Sequence, residues 1–429
     1  VADRSTLVVV YDRGSMAPTR LAEVAEATDC ELLFVVGAEA ATTGTPDPAS
    51  TAHAAEMMPT LQMVGEVVTA PAGAQDELLT AIDARRPAGI VTFSEFQLGP
   101  TARLAARLGL PHHAVDDIPA ITLKDAQRQR LAERRVDVLK AAVVTAPADL
   151  DAALEKVGLP AVVKPVWGAS SRNTRAVHTA AEAHAFVTSL LSGAGPGPRE
   201  DALMIEEMLV GRPTPAPWGD YMAVDCAVRQ GRAEALFTSS KFTLAEPFRE
   251  RGAFGSRPVE DPALVAEVEA LACRAVEAVG VTVGIADVEI KLTADGPRVI
   301  EVNGRLGAWV DDLAVRSECS VPALVAVQAA LGLPFEGRNA PVPDSPIAFH
   351  YLLVPPAGVT RVRDIHAVPA LRRVPHADRV TVLTSPGASA GWEIGAGANA
   401  AAISGTVSTH AELADTVAAL EEVSWITYE

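Results

Sequence analysis

Three short runs, Leu7-Val8-Val9-Val10-Tyr11, Glu31-Leu32-Leu33-Phe34-Val35-Val36 and Gly89-Ile90-Val91-Thr92-Phe93, are almost unbroken in apolar residues and lack polar–apolar alternation. Strands of this kind fill a parallel sheet covered on both faces. Helical spacing follows at residues 102–108 and stops at Gly109 and Pro111, the usual glycine and proline helix terminators. The pattern predicts an α/β unit over residues 1–118, with the Thr/Gly/Pro-rich stretch 42–50 as a surface loop inside it.

A connector over 119–135 comes next, charged and helical in spacing from residue 123. Strand and helix patterns then alternate again: the strand Ala161-Val162-Val163-Lys164-Pro165, a polar turn at 167–173, a helix at 180–191 and a Gly/Pro segment at 193–198. These define a small unit, 136–203. A larger unit, 204–429, carries antiparallel-looking runs at 221–228 and 234–237 and a long helix at 262–279. Two strands, 285–292 and 298–302, follow, joined by Thr293-Ala294-Asp295-Gly296, and Asp-Gly between strands is a hairpin signal. After Pro341 the chain reads as a β-rich tail with one late helix, 412–422, packed onto the third unit.

Length agrees with this division, since 429 residues at roughly 150 per domain give about three units. The 49% hydrophobic share supports buried cores. Net charge, 36 minus 54 or −18, argues against nucleic acid and anionic membrane surfaces as partners and favours small molecules. With no apolar run of about 18 residues the expected location is cytoplasmic; a homodimer stays open. Cys30, Cys226, Cys273 and Cys319 are far apart without a C-x-x-C pair, so they read as small hydrophobes rather than a disulfide or zinc set. Only six of the 36 basic residues are lysine, so each lysine is a candidate for chemistry.

Three places carry such chemistry. Glu289 and Glu301 lie within apolar strands, where an unpaired carboxylate is costly. Across the hairpin they project from adjacent strands, with Asn303 on the face of Glu301. Three hard oxygen donors on one face suit magnesium; the alternative is a surface pair satisfied by Lys291 or Arg298. Lys164 sits in an apolar strand ahead of a turn with Gly168, Ser170 and Ser171, a phosphate cradle without a P-loop signature, or else a strand-end lysine beside an ordinary turn. The run Met204 to Leu209 breaks at Glu206 and Glu207, offering backbone to an adenine and a carboxylate to a ribose, or simply a solvated strand end.

Taken in order, these residues resemble the ATP-grasp superfamily over nearly the whole chain. Thr122-Leu123-Lys124-Asp125 resembles the segment with its first ATP lysine, and Leu159 to Pro165 its second-lysine strand. Residues 168–173 resemble its mobile phosphate loop, and Ile205 to Gly211, with Leu209, its adenine hinge. Glu289, Glu301, Asn303 and Arg305 resemble its magnesium ligands and the arginine after them. Departures are Ala169 and Asn173 where relatives often have glycine, Gly304 where many have proline, and a Pro-rich insertion between Gly211 and Asp220.

The resemblance implies an α/β, or α+β, architecture: an N-terminal Rossmann-like domain followed by a two-lobed ATP-grasp unit. It implies ATP with Mg2+, or Mn2+ in its place, and ligation of an amino acid or peptide carboxylate to an amine through an acylphosphate, releasing ADP and phosphate. Arg305 would face the acylphosphate, with a salt bridge to Asp311 or Asp312 as its bland reading. Lys241 would be a further phosphate-side lysine, and Asp220 or Asp225 the ribose contact. For the substrate, Arg257 is the candidate for a carboxylate, Trp309, Asp311 and Asp312 for an ammonium, and Glu95 stands at a strand end where α/β sheets bind ligands. His112 and His113 read as interdomain surface residues. The rival functions are a carboxylating or purine-pathway ligase of the same superfamily, and a catalytically silent nucleotide-binding regulator.

Overall fold

A computed structural model describes residues 4–14, 16–335 and 345–429 of the chain. Pro341, from which the tail is reckoned, lies outside the described residues. The opening apolar runs form a four-stranded parallel sheet from Ser5–Tyr11 (β1), Cys30–Val36 (β2), Glu66–Thr69 (β3) and Gly89–Val91 (β4), ordered β3-β2-β1-β4. Leu7, Val8, Val9 and Val10 are each fully buried, which explains the absence of alternation. The helix after β4 starts at Leu98, earlier than its spacing suggested, and ends where Gly109 turns left-handed at φ 69°.

The surface loop expected at 42–50 shrinks to a few residues. Helix Ala38–Thr43 runs into it and helix Pro48–Val64 leaves it. Thr42 and Thr43 donate their hydroxyls back to helix carbonyls, and Asp47 accepts from Ala49 N at the second helix's start, so these polar residues serve as helix ends. His113 is buried at the contact between the first and third units, where its Nδ1 accepts from Thr282 N at 3.2 Å, and burial pushes its pKa down to about 4. All four cysteines are free, three of them buried.

Ala141–Val144 (β5), Ala161–Pro165 (β6), Arg175–Val177 (β7) and Leu203–Glu207 (β8) make a small antiparallel sheet, ordered β5-β8-β6-β7, with helices Leu150–Val157 and Ala180–Ser192 packed into its core. The largest sheet has eight strands. Trp218–Arg229 (β9), Arg232–Phe242 (β10), Gly252–Gly255 (β11), Val283–Thr293 (β12) and Gly296–Asn303 (β13) supply one end, and helix Pro262–Val279 buries its apolar side against them. From the tail come Ile347–Leu353 (β14), Val362–Ile365 (β15), Arg379–Val382 (β16), Ala401–Val407 (β17) and Ile426–Tyr428 (β18). The order is β13-β12-β9-β10-β11-β14-β17-β16, and β15 pairs separately with β18. The tail is therefore part of the main sheet and not merely packed onto it. No helix among the described residues is long and apolar enough to cross a membrane.

Candidate active site

A cleft of about 300 Å³ lies between the small sheet and the eight-stranded one. Its floor is the hairpin β12–β13, in which Glu289 stands directly opposite Glu301, and Asp287 opposite Asn303. The period of two puts these four polar side chains on the cleft face, while Val288, Ile290 and Val302 go down against helix Pro262–Val279. Asp287 is a site residue that the sequence reading passed over. It lies two residues before Glu289, so the same alternation points to it.

Cations answer the carboxylates. Lys124, at the start of helix Lys124–Glu133, places its Nζ 2.8 Å from Glu301 Oε1 and donates to Gly168 O at 2.7 Å. Lys164 reaches Glu206 Oε1 at 3.1 Å, and Arg128 Nε donates to Glu206 Oε2 at 2.6 Å. Lys241 pairs with Glu250 at 2.6 Å. Arg305 lies 3.4 Å from both Glu95 and Asp287, so its acid partners are not the Asp311 or Asp312 of the bland alternative. Burial pushes the Glu289 carboxyl up to about 7 against the pull of Lys241. Burial would also raise Glu301, but Lys124 and Lys164 outweigh it and hold that carboxyl below its ordinary value.

The loop expected to cradle phosphate lines the cleft through Gly168, Ser170 and Ser171, all three with positive φ. Asn173 is also left-handed, at φ 50°, and is fully buried, donating its side-chain amide to Pro198 O and Glu200. Glu207 and Leu209 line the cleft. Glu206 is also there, but Arg128 and Lys164 outweigh its burial and hold its carboxyl at about 2, so it secures Lys164 instead of standing free for a ribose.

Other expectations fare differently. Asp220 is bound by Lys291 at 2.6 Å, and Asp225 is fully buried, accepting from Gly307 N, so neither stands as an open ribose contact. Arg257 donates to Ser408 O, away from the cleft. Asp311 receives Arg20 at 2.7 Å and Ala323 N at 2.8 Å, and Asp312 pairs with Arg316 and Arg379; both are engaged in packing. Trp309 does line the cleft, in a left-handed conformation at φ 65°, with its ring stacked 4.2 Å from His350.

His350, Leu352, Gly395, Ala396 and Asn399 bring the tail into the cleft wall. No local spacing signals them, because their role follows from the sheet order. The tail also receives the 168–173 loop: Ala396 N donates to Ser170 O at 3.0 Å, and Asn173 N to Glu393 O at 3.2 Å. Gly395, at φ 59° and ψ −134°, occupies a region open essentially to glycine, and a Cβ there would stand 2.0 Å from Ser170 O. Gly395→Ala is therefore expected to lift the loop off the tail and raise the KM for ATP by roughly tenfold, the equivalent of 1–3 kcal/mol of strain. Limited proteolysis at residues 167–173 would report the opening; unchanged cleavage and KM would show that this contact does not hold the loop.

Comparison with known proteins agrees with this arrangement. The profile of the ATP-grasp domain family matches residues 134–309. The L-amino acid ligase of Bacillus licheniformis superposes with a TM-score of 0.73 over 100% of both chains at 20% identity. The N5-carboxyaminoimidazole ribonucleotide synthetase of Thermus thermophilus gives 0.65 over 98% of this chain and 99% of its own, at 18% identity. Human carnosine synthase 1 is 30% identical over 174 residues, 38% of this chain and 20% of that protein. The matches span less than half the length of the curated relatives. A cleft with two lysines above a carboxylate hairpin and a left-handed polar loop over it coincide with the matched segment: residues 134–309 form a domain of the ATP-grasp family.

Proposed function

We propose that the protein is an ATP-dependent carboxylate–amine ligase that joins an amino acid or peptide carboxylate to an amine. The observation that carries this reading is the Glu289–Glu301 pair facing Lys124, with Arg305 fixed two residues beyond Asn303 by Glu95 and Asp287. A regulator that only senses nucleotide has no need of that arginine. The names of two similar proteins, an L-amino acid ligase and carnosine synthase, support the substrate class.

The residues fit a divalent cation. Two half-buried carboxylates sit opposite each other, one raised to about 7 by its loss of solvent, with the Asn303 amide on the same face. Among the described residues no three His, Cys, Asp or Glu side chains form a complete cage, which suits magnesium, since it keeps water and phosphate oxygens as ligands. Glu289, Glu301 and Asn303 would hold Mg2+, or Mn2+ in its place. Bound there, the ion neutralises charge on the phosphates.

The chain's own groups do the rest. Lys124 and Lys164 bind the α- and β-phosphates, and the 168–171 loop, on a lid formed by residues 136–203, excludes water. The substrate carboxylate attacks the γ-phosphorus, releasing ADP and giving an acylphosphate whose oxygens Arg305 binds. The amine then attacks the acyl carbon, and phosphate leaves from the tetrahedral intermediate. Lys241, held by Glu250, adds positive charge at the phosphate side.

The test is ADP release from ATP and Mg2+ across pairs of amino acids, with mass spectrometry of the products. The expected result is release that requires amino acid and yields an amide-linked product. Release that responds only to 5-aminoimidazole ribonucleotide would favour the carboxylating branch, and release indifferent to any added amine would overturn the proposal.

A further inference from the structure

Seven cationic side chains line the cleft, and six have an acid partner. Lys124 pairs with Glu301, Lys164 with Glu206, Arg172 with Glu200, Lys241 with Glu250, Lys291 with Asp220, and Arg305 with Glu95 and Asp287. The seventh, Arg249, is only 3% exposed, yet its Nε and both Nη atoms have no hydrogen-bond partner among the described residues. The titratable groups near it are Glu393, Arg251 and the neutral phenol of Tyr428, and none of them is within ion-pair distance of it; Arg251 is committed to Glu421.

A guanidinium that is buried without a partner costs the fold stability, and charged groups are rarely kept so unless a ligand completes them. Arg249 is also held in position. Its backbone exchanges two hydrogen bonds with Ala245, at 2.8 and 2.7 Å, which pins the loop between β10 and β11. Burial lowers its pKa to about 10, so the group is still cationic at neutral pH. Leu244, Phe248, Leu352 and Asn399 line the same cleft, apolar surface for the most part that suits an organic anion more than a triphosphate.

We propose that Arg249 is the receptor for a carboxylate of the substrate, most simply the free carboxylate of the amino acid or peptide that brings the amine. The guanidinium fork accepts a planar carboxylate through two parallel hydrogen bonds, which selects for acids over amides and esters. This assignment rests on the ligase reading for the identity of the substrate, and it moves the carboxylate contact from Arg257 to a residue eight positions earlier.

The experiment compares wild type with Arg249→Met and Arg249→Lys by thermal melting in the presence of a non-hydrolysable ATP analogue. The probes are the individual L-amino acids and their carboxyl amides. The expected result is that at least one free acid stabilises the wild type more than its amide does, and that Arg249→Met loses this preference while the melting temperature without ligand stays the same or rises. In amine-dependent ADP release, the same variant should show a KM for that acid raised by about 100-fold, with the KM for ATP unchanged; Arg249→Lys should recover part of the loss. A lower ligand-free melting temperature with the preference intact would mean a structural arginine, and a raised KM for ATP would mean a phosphate ligand; either overturns the proposal, as does the absence of any acid preference in wild type. If the acid preference is present but no amino acid elicits ADP release, the ligase reading fails and the carboxylate site stands.

Discussion

Glu301→Gln is expected to leave the protein folded and to lower ATP turnover by about a thousandfold. Glu301 shares its strand position with Glu289 across the hairpin, and its one ion-pair partner is Lys124. The amide keeps the size of the side chain, and Lys124 keeps its second acceptor, Gly168 O. What disappears is the negative charge that would face the proposed metal and phosphates, and the lost stabilisation of several kcal/mol corresponds to roughly three decades in rate. ADP release at rising magnesium, together with a melting curve, checks this. Turnover restored at saturating magnesium would remove Glu301 from the ligand set, and collapse of the melting temperature in metal-free buffer would make its role structural.

Arg305→Lys is expected to reduce turnover by about 10²- to 10³-fold while ATP affinity by calorimetry stays within a factor of two or so. Arg305 is held at three points, Glu95 and Asp287 at 3.4 Å and Leu306 O at 3.3 Å. Burial lowers its basicity, but Glu95 and Asp287 outweigh that and raise its pKa, so its charge is permanent. A lysine keeps the charge, loses the planar fork and can satisfy only one of the two acids well. Glu95 would then be a buried carboxyl with a weakened partner. Near-wild-type turnover of the lysine variant would exclude a role for Arg305 in the chemical step.

How much of this was legible in the sequence depends on the range of the interactions. The parallel strands and the 293–296 hairpin follow from short-range patterning, and the opposition of Glu289 and Glu301 follows from that turn. Lys124 and Lys164 were visible because lysine is scarce here and both lie beside apolar strands or turns. Arg128 is four residues after Lys124 on the same helix, a spacing that shares a face, yet nothing local marks its bonds to Val299 O and Ile300 O. Arg257 reads as the carboxylate candidate in sequence and Arg249 carries no local signal, although the two flank β11. Only the fold reveals that Arg257 donates to Ser408 O and keeps one unpartnered nitrogen, Nε, while none of the three guanidinium nitrogens of Arg249 has a partner among the described residues. The acids of the substrate region behaved likewise: Asp311 has the position of a ligand in sequence and the bonds of a helix cap in space.

The strand order at the tail bears on when the protein becomes competent during its synthesis. β14 is joined to β16 only through β17, so residues 347–353 lack their outer neighbour until residues 401–407 exist. The groups that hold the 168–173 loop, Glu393 O as acceptor and Ala396 N as donor, are made in the same late stretch. A chain still on the ribosome can thus have its lysines, its carboxylate hairpin and its small sheet, and still have neither the far wall of the cleft nor anything for the loop to rest on. An unfinished molecule that met ATP would hold it in an open, wet site, and residues 393–407 are the ones that shut it.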